Sequence, residues 1–177
     1  MASRKNLILG IAAFIVLLIG YNAIFRWPAE KQALAKQDKL IAAIEARKWG
    51  RVQRLTSENY SDSLGLDREN LILAVRDLGS QFWTQLDLNW EMTELKREDD
   101  AIVISGNMRL VGEGGPGAPF VVKYARPFAN TPFTFRWRKT GILPWRWQME
   151  SAHHPDARLP LGYKPGDLVN RRGFGGF

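Results

Sequence analysis

The chain has 177 residues, no cysteine and a formal net charge of +7. Hydrophobic residues make up 45% and charged residues 24%, which excludes a disordered chain and fits one folded domain. The charge is unevenly spread. Residues 1–54 hold 10 basic and 3 acidic side chains, residues 55–113 hold 5 and 12, and residues 114–177 hold 10 and 3. The protein therefore does not have the uniformly basic surface that is typical of nucleic-acid binding, and nucleic acid is a disfavoured partner.

An uncharged run covers residues 6–25. As a helix it measures about 30 Å, the thickness of a bilayer core. The run is bordered by side chains suited to a headgroup interface, namely Tyr21, Arg26 and Trp27. We therefore expect a membrane anchor over residues 1–27, with a single transmembrane helix at about 6–25.

The anchor is better interpreted as a signal anchor than as a cleaved signal peptide. Tyr21-Asn22-Ala23 lacks the small residues of a cleavage site. Lys and Arg counts at the two ends of the span are similar and leave the orientation open. A short basic N-terminus followed by one span and a whole domain favours a single-pass membrane protein with an extracytoplasmic domain.

Three helices are predicted after the anchor. Residues 29–49 place Leu40, Ile41 and Ile44 on one stripe, which either lies on the membrane surface or packs into the domain; we favour packing. A short helix follows at residues 51–55. Asp67 is then the predicted N-cap of a helix that extends to about Phe82.

From residue 86 the hydrophobic period changes from 3.6 to 2, which indicates strands. Five strands are predicted, at about residues 86–92, 101–111, 119–126, 131–139 and 144–151. The expected fold class is α+β: a transmembrane helix, then a cone-shaped domain of about three helices packed on a curved, mostly antiparallel five-stranded sheet. The domain covers residues 28–151, and residues 152–177 form a Pro/Gly-rich tail, either a strap or disordered.

Two segments resemble a known family. These are IAAIEARKWGRVQRLTSENYSDSLGLDRENL and FTFRWRKTGILPWRWQMESA. Their helix, turn and strand layout resembles the nuclear transport factor 2-like superfamily, in particular its polyketide-cyclase-type (SnoaL-like) domains. The resemblance implies a cavity between the helices and a concave sheet. It also implies a choice between cyclase, dehydratase or isomerase activity and a non-catalytic module, in some cases membrane-anchored.

Candidate site residues come from the interior of the predicted sheet. A pocket for an apolar ligand, or simply a core, is formed by Trp90, Met108, Phe135, Trp137 and Trp147. Tyr60 and Asp62 are weak catalytic candidates, because Asp62 also fits a loop-capping role. The adjacent His153 and His154 point in opposite directions along an extended chain and make a poor chelate. We predict no cofactor and no metal.

The favoured hypothesis is a membrane-anchored, non-catalytic module for protein association or for binding a small apolar ligand. Its protein partner would be a second copy, through an acidic strand face and a basic hairpin (Arg136, Arg138, Arg146), or another membrane-associated protein. The alternatives are a tethered polyketide-cyclase-like or dehydratase-like enzyme, which needs an acid or base in the cavity, and a basic surface that binds anionic lipid or RNA.

Overall fold

Helices occupy the first half of the chain and strands the second, with one further helix between the second and third strands. The computed structural model describes residues 4–25, 28–141, 143 and 146–168. Its helices are α1 (Arg4–Phe25), α2 (Ala29–Glu45), α3 (Trp49–Leu55), α4 (Arg68–Gly79) and α5 (Ala118–Ala125), and a 3₁₀ turn covers Arg126–Asn130. Its strands are β1 (Gln85–Glu98), β2 (Ala101–Glu113), β3 (Phe133–Lys139) and β4 (Trp147–His153).

The described strands form one antiparallel sheet in the order β1-β2-β3-β4. A tight turn joins β1 to β2, and Asp99 takes a positive φ of 47° in it. The register of β1 shifts between Met92 and Glu94, so Leu95 rather than Met92 packs towards the core. Gly106 is required beside this bulge, because a Cβ there would lie 2.6 Å from the Trp90 ring.

The predicted third strand is wrong, and the sheet therefore has four described strands instead of five. Its residues form helix α5. Pro119 lies in the first turn of that helix, where a missing N–H is tolerated. Ala118 and Val121, three residues apart, pack on a cluster that includes Phe82 and Leu86. Tertiary packing thus overrides the strand preference of the Phe120–Val122 run.

The predicted transmembrane helix is also wrong. Among the residues that the structure describes, no helix combines the length and the apolar character that crossing a membrane requires. The strictly apolar part of the α1 sequence is residues 7–20, which is roughly 21 Å of helix against a core of about 30 Å. Three further predictions depend on this helix and are wrong as well: a signal anchor, a single-pass membrane localisation and an extracytoplasmic domain. Tyr21 is exposed on α1, and Arg26 and Trp27 lie outside the described residues.

Helix α4 begins where the sequence predicted. The Asp67 carboxylate accepts a hydrogen bond from the backbone N–H of Asn70 at 2.8 Å, so the N-cap is confirmed. The helix ends at Gly79 rather than near Phe82. Gly79 faces the Trp49 ring, which a Cβ would approach to 2.5 Å, so α3 and α4 pack closely at this point.

Helix α2 is attached to the β3–β4 side of the sheet by two glutamines. Trp137 Nε1 donates to Gln37 Oε1 at 2.8 Å, and Trp147 Nε1 donates to Gln32 Oε1 at 3.0 Å. Gln37 and Trp137 are both 0% exposed. The Gln37 Nε2 group has no hydrogen-bond partner within the described part of the chain. The tryptophan face of the hairpin is therefore core, fixed by buried polar contacts.

The opposite face of the hairpin pairs its charges within the chain. Arg136 pairs with Glu98 and with Glu150, the latter at 3.1 Å. Arg138 pairs with Glu150 at 2.9 Å and with Asp100 at 3.4 Å. Two of the three arginines that the sequence offered to a second copy are thus already engaged with acidic residues of the same molecule.

The segment after β4 crosses α5 and α4, and we call its residues 154–168 the strap. Asp77 of α4 is 0% exposed and binds the C-terminal part of the strap. Asp77 Oδ2 accepts from the Tyr163 hydroxyl at 2.9 Å and from the Gly166 backbone N–H at 2.7 Å. Hydrogen bonds to a charged group contribute more than neutral ones, so this carboxylate is the anchor of the strap.

The first prediction concerns the bond between Gln37 and Trp137. Trp137→Phe should lower the free energy of unfolding by about 2–4 kcal/mol, because it shrinks a filled site and leaves both polar groups of Gln37 unpaired. Adding Gln37→Met removes those polar groups and should recover about 1 kcal/mol. Urea unfolding of the two single variants and the double variant measures this coupling. If the losses of unfolding free energy in the two single variants add up to the loss in the double variant, the two side chains are not coupled, which would contradict the hydrogen bond between them.

The second prediction concerns the strap anchor. Tyr163→Phe keeps a chymotrypsin site but removes one bond to Asp77, so cleavage after residue 163 should accelerate roughly tenfold under native conditions. Asp67→Ala is the matched control, because it removes the N-cap of the same helix without touching the strap. Equal cleavage rates in Tyr163→Phe and the original chain would show that the bond from the Tyr163 hydroxyl to Asp77 does not hold the strap.

Candidate functional site

A concave feature lies between helix α2 and strands β1 and β2, and we call it the α2–sheet cleft. Its volume is about 640 Å³, and it is open to solvent. Helix α2 contributes Asp38, Ile41, Ala42 and Glu45, and the 3₁₀ turn contributes Ala129. The strands contribute two stretches, residues 88–91 and residues 107–109. A volume of this order is typical of small-molecule sites.

The floor of the cleft is apolar. Leu88 and Trp90 of β1 and Met108 of β2 share the face of the sheet that turns towards Ile41. Trp90 and Met108 are half-buried, unlike the fully buried residues deeper in the sheet. Trp90 makes an edge-to-face contact with Phe135 at 5.4 Å between ring centroids, which fixes the orientation of its indole.

Two carboxylates of α2 border this floor. Asp38 and Glu45 are seven residues apart, which places them on the same side of the helix at a spacing of roughly 10 Å. Glu45 Oε1 accepts the backbone N–H of Leu88 at 2.8 Å and so covers the exposed edge of β1. Asp38 is exposed. The cleft thus has an anionic rim on its helical side.

The other polar residues of the cleft contribute mainly their backbone. Asn89 pairs with Arg109, and Glu91 pairs with Asn107, in the β1–β2 register. Since successive side chains of a strand alternate between faces, these four side chains point away from Leu88, Trp90 and Met108.

The pocket residues predicted from the sequence divide into two groups. Trp90 and Met108 line the cleft. Phe135, Trp137 and Trp147 lie in the core, at 7%, 0% and 4% exposure. The sequence did not indicate Asp38 and Glu45 as cleft residues. Their spacing relative to Ile41 and Ala42, at i, i+3, i+4 and i+7, was the available signal.

Tyr60 and Asp62 do not line the cleft. The Tyr60 hydroxyl donates to Asp62 Oδ2 at 3.0 Å, and Asp62 Oδ1 accepts the backbone N–H groups of Leu64 and Leu66 at 2.9 Å. Burial, followed by the neighbouring Asp62 charge, raises the pKa of Tyr60 above its ordinary range. Asp62 is thus engaged in shaping its loop, and this geometry does not leave it poised as a base.

The two histidines lie where the strap begins. His153 is exposed, whereas His154 is buried between Phe128 and Phe133. His154 Nε2 lies 3.1 Å from the carbonyl oxygens of Phe128 and Thr131, and Nδ1 accepts the Asp156 N–H. Both ring nitrogens are therefore engaged in structure. Among the described residues, no group of three or more His, Cys, Asp or Glu side chains could hold a metal ion.

Comparison with known proteins bears on the fold. No protein-family model and no curated protein matches the sequence. The structure is similar to that of a conserved protein from Planctomyces limnophilus, with a TM-score of 0.52, 9% identity and coverage of 71% of this chain and 93% of that one. It is also similar to a protein of unknown function with a cystatin-like fold from Nostoc punctiforme, with a TM-score of 0.51, 8% identity and coverage of 75% and 92%.

Solved proteins described as NTF2-like are also similar to this chain. One from Cytophaga hutchinsonii has a TM-score of 0.48, 14% identity and coverage of 72% of this chain and 97% of that one. At such identities a likeness extends to the fold alone. The fold is an α+β arrangement similar to that of the proteins from Planctomyces limnophilus and Nostoc punctiforme. The polyketide-cyclase-type subtype is not shown.

The third prediction concerns the buried Tyr60. Because its pKa is raised in the folded chain, Tyr60 ionises first in the unfolded chain as the pH rises above about 10. Its contribution to stability is therefore complete below pH 10 and is lost above it, by up to about 1.4 kcal/mol per pH unit. Tyr60→Phe should make the decline of unfolding free energy between pH 9 and 11.5 shallower, as measured in urea.

The original chain is the reference for this measurement. If the unfolding free energy of Tyr60→Phe declines with pH as steeply as that of the original chain, the Tyr60 hydroxyl is accessible to solvent and the expected linkage fails.

Proposed function

We propose that the protein is a non-catalytic module of nuclear transport factor 2-like fold that binds a small, mainly apolar ligand in the α2–sheet cleft. The observation that carries the proposal is the contrast within one sheet face. Over β3 and β4 the face is filled by Trp137 and Trp147, whereas over β1 and β2 an open space of about 640 Å³ remains above Trp90 and Met108.

The floor of the cleft supports contact with the apolar part of a ligand. Ile41, Leu88, Trp90 and Met108 offer aliphatic, aromatic and thioether surface to one side of a ligand. Met108 can adjust its side chain to different shapes, and the Trp90 indole offers a flat face. The Asp38 and Glu45 carboxylates favour a ligand with an N–H or cationic group at its helical end.

The arrangement of the charged groups favours binding over catalysis. A general acid or base must lie within hydrogen-bond reach of the proton that it transfers, and an acid and a base that act together must both reach the same substrate. Asp38 and Glu45 are separated by about two helical turns, and Glu45 already accepts the Leu88 N–H. Among the described side chains that face the cleft, none forms a hydrogen-bonded acid–base pair with another.

The fourth prediction tests the cleft with N-phenyl-1-naphthylamine, a neutral apolar fluorophore. The full-length chain should bind it with an increase in fluorescence. Ala42→Phe inserts a ring into the cleft from an exposed helix position and should weaken binding by roughly tenfold or more, a loss of about 1.4 kcal/mol per factor of ten.

Ala46→Phe is the matched control, because Ala46 is an exposed alanine at the end of the same helix and does not line the cleft. Probe molecules that bind to the exposed apolar side chains of α1 add the same background fluorescence in both variants. The same affinity in Ala42→Phe and Ala46→Phe would exclude the cleft as the site, and turnover of a ligand on binding would exclude a non-catalytic role.

A further inference from the structure

A second groove lies between helix α5 and the strap, on residues that the cleft does not use. Its volume is about 460 Å³. One wall comes from α5 and the 3₁₀ turn, and the other from the beginning of the strap. We call it the strap groove, and it is lined by Phe120, Lys123, Tyr124, Pro127, Phe128, Asp156 and Arg158.

Hydrogen bonds hold the two walls of the strap groove together. The Tyr124 hydroxyl donates to the Arg158 carbonyl oxygen at 2.6 Å. The Thr131 hydroxyl donates to Asp156 Oδ2 at 2.9 Å, and His154 Nε2 lies 3.1 Å from the Phe128 carbonyl oxygen. The groove is therefore formed before any ligand arrives, which lowers the entropic cost of binding.

The floor of the strap groove is aromatic and unusually exposed for apolar side chains. Phe120 is 68% exposed and Tyr124 is 38% exposed. Phe128 packs edge-to-face on Tyr124, with 5.6 Å between ring centroids, and Pro127 completes the surface. Adjacent exposed apolar groups that lie in a concavity are typical of an interaction site.

The charge of the strap groove is positive. Arg158 Nη1 donates to the carbonyl oxygens of Pro155 and Ala157, which holds the guanidinium against the strap. Its Nε and Nη2 make no hydrogen bond within the described residues. In the same part of the chain, neither Arg158 nor Lys123 pairs with a carboxylate. Asp156 is the counter-charge of the groove, and its Oδ2 is engaged by Thr131.

We propose that the strap groove binds an amphipathic carboxylate, a ligand with an extended apolar body and one anionic end. The body would pack on Phe120, Tyr124, Pro127 and Phe128. The carboxylate would accept hydrogen bonds from the remaining N–H groups of Arg158, which suit a planar two-oxygen acceptor, and an ionic contact from Lys123. The strap groove shares no lining residue with the α2–sheet cleft. It prefers an anionic ligand, whereas the cleft prefers a ligand with a cationic or N–H group.

Dodecanoate, titrated below its micellar concentration into the full-length chain by calorimetry, tests the proposal. Saturable binding should weaken roughly tenfold in Arg158→Gln and several-fold in Lys123→Gln. Phe120→Ser, a change at an exposed position, should weaken it comparably. Arg146→Gln is the control, since it removes an exposed arginine outside the groove and should leave the affinity unchanged.

Two further measurements separate this site from its alternatives. Dodecylammonium should bind at least tenfold more weakly than dodecanoate, because its charge is repelled by Arg158 and Lys123. Ala42→Phe, which blocks the cleft, should leave dodecanoate binding intact, so failure of one site is distinguishable from failure of the other. Equal affinity for dodecanoate and dodecylammonium, or full affinity in the double variant Arg158→Gln/Lys123→Gln, would overturn the proposal.

Discussion

A buried hydrogen bond between Trp137 and Gln37 fixes where helix α2 crosses the sheet. Both side chains are fully buried, so an indole N–H without its acceptor would cost about 1–3 kcal/mol. Helix α2 cannot slide or rotate without breaking this contact. The bond from Trp147 to Gln32 adds a second point five residues earlier on the helix, and two points determine the direction of the helix as well as its position.

The cleft lies further along the same helix. Both glutamine contacts lie over β3 and β4, whereas the later part of α2 crosses β1 and β2, where Ile41 and Glu45 border the cleft. Glu45 then reaches the backbone of Leu88 and closes one end of the gap. The side chains of Trp90 and Met108 are left half-buried below it. One face of the sheet therefore carries both a filled core and an open site.

Sequence patterns predicted the parts of this arrangement that depend on local chemistry. The N-cap at Asp67 and the period-two strands are local signals, and the structure contains both. Helix α5 was missed because Val121 and Val122 favour a strand, while packing on Phe82 decides the outcome. The strap anchor was missed for a similar reason. Nothing near Asp77 in the sequence indicates that a tyrosine 86 residues later will donate to it.

The alternation of charge along the chain has its explanation within one molecule. Glu98 at the end of β1 and Asp100 in the β1–β2 turn belong to the acidic middle segment, and they pair with Arg136 and Arg138 of β3, in the basic end segment. Each such exposed pair contributes little stability, but the pairs neutralise charge where the β1–β2 turn lies beside β3. Lys123 and Arg158 are among the described basic side chains that have no acidic partner. Because both line the groove beside the strap, where Phe120 and Tyr124 are exposed, positive charge and apolar surface meet there, and this combination suits a ligand that carries an anion on an apolar body.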